Sequence, residues 1–242
     1  MRYPSIASRA ATAGQSGVIA LGLSIPVSVA LDNILISLIA VLWLLSGELR
    51  SKADLIRQNP VAIAALLLFG LLAVGTIYSS GNTSTLLKYI DLLFIPIFLT
   101  YFQDAKTRER GLFAFCVAAI ASIVVSHLAY LNLLTHSSLL PRESVYPIGF
   151  KASLTHSLIV AFSAYLLALY AREEQNKIYR VGYIALALLA AHNVVFMGWG
   201  RTAYLVLAIL FLYFFVVTFG RRGLVLHRHS WRNVFDRVCD LD

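Results

Sequence analysis

Arg201 is the residue whose chemistry is hardest to absorb into a purely apolar chain. It stands in Met197-Gly198-Trp199-Gly200-Arg201-Thr202-Ala203-Tyr204-Leu205, where one strongly apolar run ends and another begins. A guanidinium is permanently charged and binds phosphate or carboxylate through two parallel N–H donors. In the first turn of a helix, the free backbone N–H groups and the helix dipole favour an anion as well. Gly198 and Gly200, just before it, allow a close backbone approach. The same placement also suits an interfacial anchor that snorkels to headgroups beside Trp199.

Other polar groups stand out against the apolar background. His127, His136, His156, His192, Lys88, Asp91, Arg142, Lys151 and Arg201 all fall on one side of the membrane once the spans are laid out. Ionisable residues at the edge of a span are costly and usually functional, and a water-filled cavity opening to that side accounts for the cluster. Arg201 is the candidate catalytic residue. Lys88, Arg142, Lys151, His156 and His192 are the further candidates for contacts to an anionic substrate. Each has a plainer account: Lys88 and Asp91 as an i,i+3 pair, Arg142 and Lys151 as solvated loop charges, the histidines as hydrogen-bonded or interfacial groups. A metal site needs three or four ligands with supporting carboxylates, and only Asp91 and Glu143 are at hand on that side, so no metal is expected. His227 and His229 lie in a basic tail that suits anionic headgroups better than a metal.

The elements that must position these groups are transmembrane helices. Hydrophobic residues make up 59% of the chain and charged residues 13%, against about 25% charged in soluble domains. Mean hydropathy is +0.77. The apolar residues come in long runs, not in the short alternating segments of a membrane barrel. The net charge of +8 sits in short loops, without the basic stripe interleaved with aromatics that follows a nucleic-acid backbone, so nucleic acid is not an expected partner. Cys116 and Cys239 have no metal or disulfide spacing.

In chain order, residues 1–16 read as a cytoplasmic N-terminus, 17–219 as a transmembrane helical domain and 220–242 as a basic cytoplasmic tail. Gly17 to Ser46 is too long for one span and reads as two short helices turning near Asp32-Asn33, with one tilted helix as the alternative. Gly47 to Asn59 is a charged loop, and Pro60 opens the next span. Ser79 to Thr85 is a polar turn, and Leu86 to Phe102 a fourth span. Gly111 to Leu134, Leu154 to Ala171, Val181 to Met197 and Ala203 to Phe219 complete an all-α, polytopic bundle of about eight spans. Of the twenty Lys and Arg, only Lys88, Arg142, Lys151 and Arg201 fall on the side opposite the N-terminus, which makes that side the outer one.

At Gly200-Arg201-Thr202-Ala203-Tyr204-Leu205 the chain resembles the O-antigen ligase and polymerase family of bacterial envelope glycosyltransferases. Its members commonly carry a Ser/Gly-Arg-Thr/Gly-Ala segment with Arg-x-x-x-Leu spacing at the outer start of a helix. Ile25-Pro26, Leu31-Asp32-Asn33-Ile34-Leu35 and Leu42-Trp43-Leu44 are similar to the opening of such ligases, and the hydropathy pattern over residues 17–219 is similar too. The resemblance implies a C-type glycosyltransferase-like helical fold in the bacterial inner membrane, with its site facing the periplasm. It implies transfer of a glycan from undecaprenyl pyrophosphate to the lipid A core, with no cofactor, and with Arg201 holding the donor's pyrophosphate. Family members continue into a large outer loop with a catalytic histidine and further arginines. The segment Leu224 to Asp242 does not read as such a loop, so the chain is expected to be a C-terminally truncated, donor-binding part. A transporter or flippase-like protein is the alternative, and an inactive ligase fragment a third reading.

Overall fold

The computed structural model describes residues 6–78, 86, 89–131, 133, 150–198 and 201–219. Among these there is no β-strand. The chain divides into two compact units, Met1–Gly22 with Ala30–Phe113, and Leu23–Val29 with Ala114–Asp242.

The first unit is made mostly of shorter pieces. Helix α1 (Ile6–Ser24) is followed by α2 (Val29–Leu45). The expected hairpin is present, but the chain breaks at residues 25–28 and not at Asp32-Asn33. Pro26 has no N–H to donate and disfavours helical geometry at Ile25, and the turn closes with Val27 and Ser28 donating to the Ser24 carbonyl at 2.8 and 2.9 Å. Asp32 falls inside the first turn of α2 and is buried. Gly17 of α1 faces Ile39 of α2 so closely that a Cβ there would lie 3.0 Å from the Ile39 side chain.

The predicted loop Gly47–Asn59 is instead a helix, α3 (Leu49–Gln58), bent by 115° from α2. Gly47 and Glu48 make the bend with φ of 70° and 54°, the left-handed region that glycine enters freely and glutamate does not. Lys52 ties α3 back to the end of α2. Its Nζ donates to the Trp43 carbonyl and to Ser46 Oγ, both at 2.6 Å, and lies over the Trp43 ring. Burial lowers the Lys52 ammonium pKa, and nearby Glu48 acts in the opposite direction.

Asn59 ends α3 and starts α4 (Pro60–Tyr78), its side-chain oxygen accepting from Val61 and Ala62 N–H. Pro60 takes the first helical position, where its missing N–H costs nothing. A 3-10 turn (Ile90–Leu93) and the eight-residue α5 (Phe94–Tyr101) occupy most of the predicted fourth span. Trp43 Nε1 donates to Thr100 Oγ1 of α5 at 2.7 Å.

The second unit contains the long apolar helices. Asp104 starts α6 (Ala105–Tyr130), its Oδ2 accepting from the Thr107 hydroxyl at 2.6 Å and the Thr107 N–H at 3.0 Å. These hydrogen bonds, the hydroxyl's first, hold the Asp104 carboxyl below the usual carboxylate range despite its partial burial. Helix α7 (Ser153–Glu173) and α8 (Lys177–His192) form a tight hairpin, with Asn176 capping α8 by accepting from Ile178 N–H. A π turn (Asn193–Met197) extends α8, and α9 (Arg201–Phe219) follows. Ile123, Val160, Ala161, Ala164, Ala190, Val194 and Ala203 make the core. The small residues let helix backbones approach closely, as in membrane bundles where burial alone gives little drive.

Among the described residues, four helices are long and apolar enough to cross a membrane: α6, α7, Lys177–Met197 and α9. The pair α2–α3 qualifies only jointly, across its 115° bend, and the stretches Pro60–Thr76 and Ile90–Tyr101 are shorter. Hydropathy alone predicts about eight spans, because it counts an apolar run without registering where the chain turns inside it. Cys116 is buried and free; Cys239, the Ser79–Thr85 turn and the tail from 220 lie outside the described residues.

Candidate functional site

Helices α6, α7 and α8 meet at one end of the second unit around a chain of neutral polar side chains. Ser122 and Ser126 are four residues apart and share one face of α6. His156 and Ser157 come from the first turns of α7, and Asn193 opens the π turn. All five are buried. His156 bridges the set, with Nδ1 3.2 Å from Ser122 Oγ and Nε2 3.2 Å from Asn193 Oδ1. Asn193 Nδ2 donates to Ser126 Oγ at 2.9 Å and points at Met197 Sδ at 3.3 Å.

These contacts fix the hydrogens. An amide oxygen only accepts, so His156 Nε2 carries the proton and Nδ1 accepts from the Ser122 hydroxyl. The imidazole is therefore neutral, and the chain of donors runs from Ser122 through His156 and Asn193 to Ser126. Buried polar groups that satisfy each other in this way stiffen the interface they cross. Here they lock the π turn against α6 and α7. A π turn interrupts the regular helix ladder and is frequent at functional sites.

Gly198 follows the π turn, its N–H donating to the Asn193 carbonyl at 2.9 Å. A Cβ on it would lie 2.7 Å from Ser157 Oγ and 2.8 Å from the Val194 carbonyl. The close approach that this glycine permits is thus to Ser157, within the protein. Ser157 Oγ itself is buried without a hydrogen-bond partner. Tyr204, one turn into α9, donates its hydroxyl to the Gly198 carbonyl at 2.7 Å, which clasps the start of α9 to the end of the π turn.

Two more histidines flank the network. His127 Nδ1 donates to the Ile123 carbonyl at 2.9 Å, which leaves Nε2 as a lone-pair acceptor, buried and without a partner. Its ring stacks on His192 at 5.7 Å, and His192 lies 4.9 Å from Phe196. Among the described residues, no group of three His, Cys, Asp or Glu comes together in a way that would hold a metal ion.

Of the residues singled out from sequence, Arg201 opens α9 and is exposed. His156 and His192 lie at the same end, but both ring nitrogens of His156 are used inside the network. Lys151 is only 7% exposed, so it is not the solvated loop charge that its position suggests. Asp91 is exposed in the 3-10 turn of the first unit. Lys88, His136, Arg142, Glu143, Trp199 and Gly200 lie outside the described residues. Sequence reasoning passed over Ser122, Ser126, Ser157 and Asn193, because small neutral polar residues inside apolar runs carry no charge signal. The i,i+4 serine pair on one helix face was the available clue. No protein-family model, curated protein or solved structure matches this chain.

Proposed function

We propose that the protein is a membrane glycosyltransferase of the O-antigen ligase type, with a C-type glycosyltransferase-like helical fold and its site on the periplasmic side of the bacterial inner membrane. The observation that carries this reading is the placement of Arg201. It is exposed at the first turn of α9, tied through the Tyr204–Gly198 clasp to a π turn that a buried network holds rigid. A fixed cation at a helix N-terminus is suited to a pyrophosphate.

In the proposed reaction an acceptor hydroxyl of the lipid A core attacks the anomeric carbon of the glycan. The bond from that carbon to the pyrophosphate oxygen breaks, and its electron pair leaves with undecaprenyl pyrophosphate. The hydroxyl proton passes to a base. Arg201 stabilises the charge growing on the departing oxygen, a preorganised electrostatic role worth about 2.7–4 kcal/mol, or 10²–10³ in rate. The Ser122–His156–Asn193–Ser126 network positions Arg201 and does not touch substrate.

The test uses the full chain in membranes with an undecaprenyl-pyrophosphate glycan and lipid A core. Arg201→Ala is expected to lower donor binding and to reduce transfer by about 10²–10³, with Arg201→Lys intermediate because it keeps charge but not the two-pronged geometry. Equal donor binding by wild type and Arg201→Ala sinks the reading. Translocation is the second reading, favoured by a polar seam that links three membrane-length helices. Accumulation of the lipid-linked glycan inside sealed vesicles, without transfer, selects it.

A further inference from the structure

A groove of about 380 Å³ runs between α7, α8 and α9 at the end of the second unit remote from Arg201. Its floor is small, with Ala168, Ala171, Ala187 and Ala191, and Phe211 and Phe214 stand along α9. Arg172, Arg180 and Thr218 line its other end, and no Asp or Glu lines it. Arg172 Nη1 and Thr218 Oγ1 are both buried without a hydrogen-bond partner. Two orphan donors in one apolar groove are uncommon, because nearly all buried polar atoms are paired. An unpaired guanidinium nitrogen is the costlier of the two.

We infer that this groove binds an anionic diacyl phospholipid, with its phosphate on Arg172, Arg180 and Thr218 and an acyl chain along the alanine floor. The phosphate oxygens only accept, which matches the two orphan donors, and the guanidinium binds phosphate in paired geometry. The walls beyond the arginines offer no polar partner, so the rest of the ligand is hydrocarbon. From Arg172 back to Ala164 the groove follows α7 for about 12 Å at 1.5 Å per residue. Arg201 and Phe219 are separated by about 27 Å of helix on the same basis, so a phosphate here is not the one proposed at Arg201. Arg172 and Arg180 bracket the short link between α7 and α8, on the side where Lys and Arg concentrate. Basic residues on that side of a membrane meet anionic headgroups of the adjoining leaflet. The inference stands independently of the glycosyltransferase reading.

The purified full chain, stripped of endogenous lipid, is offered phosphatidylglycerol, phosphatidylcholine, undecaprenyl phosphate or inorganic phosphate, and retained ligand is read by native mass spectrometry. Phosphatidylglycerol is expected to be retained about tenfold over phosphatidylcholine, the scale of one charge-assisted hydrogen bond. The Arg172→Gln, Arg180→Gln double variant is expected to abolish that preference. Ala187→Trp, which fills the floor and leaves both arginines, is expected to lower retention of either phospholipid, with helix content checked by circular dichroism. Equal retention of the two phospholipids by wild type overturns the inference. So does an unchanged preference in a double variant that keeps its helix content. Stronger retention of undecaprenyl phosphate than of phosphatidylglycerol, or competition by inorganic phosphate alone, overturns the assignment to a diacyl lipid.

Discussion

Both ends of the second unit bury polar atoms among apolar helices, and they treat those atoms differently. At the Arg201 end, Ser122, His156, Asn193 and Ser126 are neutral and satisfy one another in a directed chain. At the other end, Arg172 and Thr218 present buried donors that nothing in the protein accepts. A network closed on itself organises structure, whereas an unsatisfied cation in a groove calls for a ligand from outside. The charged residue at the first end, Arg201, is kept out of the network and left exposed. The protein thus separates the polar groups that hold its helices from those offered to something else.

The strongest way to break this comparison is to open the closed network. Asn193→Leu leaves the His156 Nε2–H without an acceptor and removes the amide donor to Ser126, for an expected loss of about 2–4 kcal/mol. Reversible unfolding in mixed micelles measures it. Adding His156→Phe removes the stranded donor, so the double variant is expected to be less damaged than the sum of the singles. Strict additivity would mean that the four residues are not a unit.

Gly198→Ala comes next, at about 1–3 kcal/mol, because its Cβ meets both Ser157 Oγ and the Val194 carbonyl. Ser157→Ala in the same chain is expected to recover only part of this, since the carbonyl stays in place.

A smaller effect belongs to a charged polar group outside the apolar interior. Asp104→Asn should cost about 1 kcal/mol or less, the range of a helix cap. The Asp104 carboxyl is held below its ordinary value in the folded state. Its charge-dependent contribution is therefore present above the unfolded carboxylate value of about 3.9 and is lost as pH falls through the lower folded value. The stability difference between wild type and Asp104→Asn, followed by circular dichroism across that window, should shrink towards acid pH. A gap that widens on acidification contradicts the cap.

The smallest expected change is in the stability of Arg201→Ala. As an exposed surface substitution it should stay within about 0.5 kcal/mol of wild type. A large loss would join Arg201 to the closed network and erase the contrast between the two ends.

The helical class and the long apolar helices α6 to α9 were legible from the apolar runs alone, as was the gathering of His127, His156, His192 and Arg201 at one end of their helices. The first unit was less so. Its hairpin turned at Pro26, because a missing N–H outweighed the polarity of Asp32-Asn33. The charged stretch around Lys52 reads as a loop by composition, yet its half-buried Ala53, Leu55 and Ile56 are spaced for one helix face, and Lys52 anchors it to Trp43. Lys151 shows the limit for charged residues: sequence gives the side chain, while only the fold shows it buried. Ser122, Ser126 and Asn193 were invisible because nothing local distinguishes a serine paired across helices from one bonded back to its own helix.

The π turn at Asn193–Met197 also makes the distance from His192 to Arg201 a counted one. Each residue of an α-helix turns the chain by about 100°, so deleting a single residue such as Val195 would relax the π turn to α and swing everything after it by that angle. Met197 would leave Asn193, Gly198 would lose its seat against Ser157, and Arg201 would face another direction. The segment works as a ruler whose setting is one whole residue, and lineages that keep its use must keep its length.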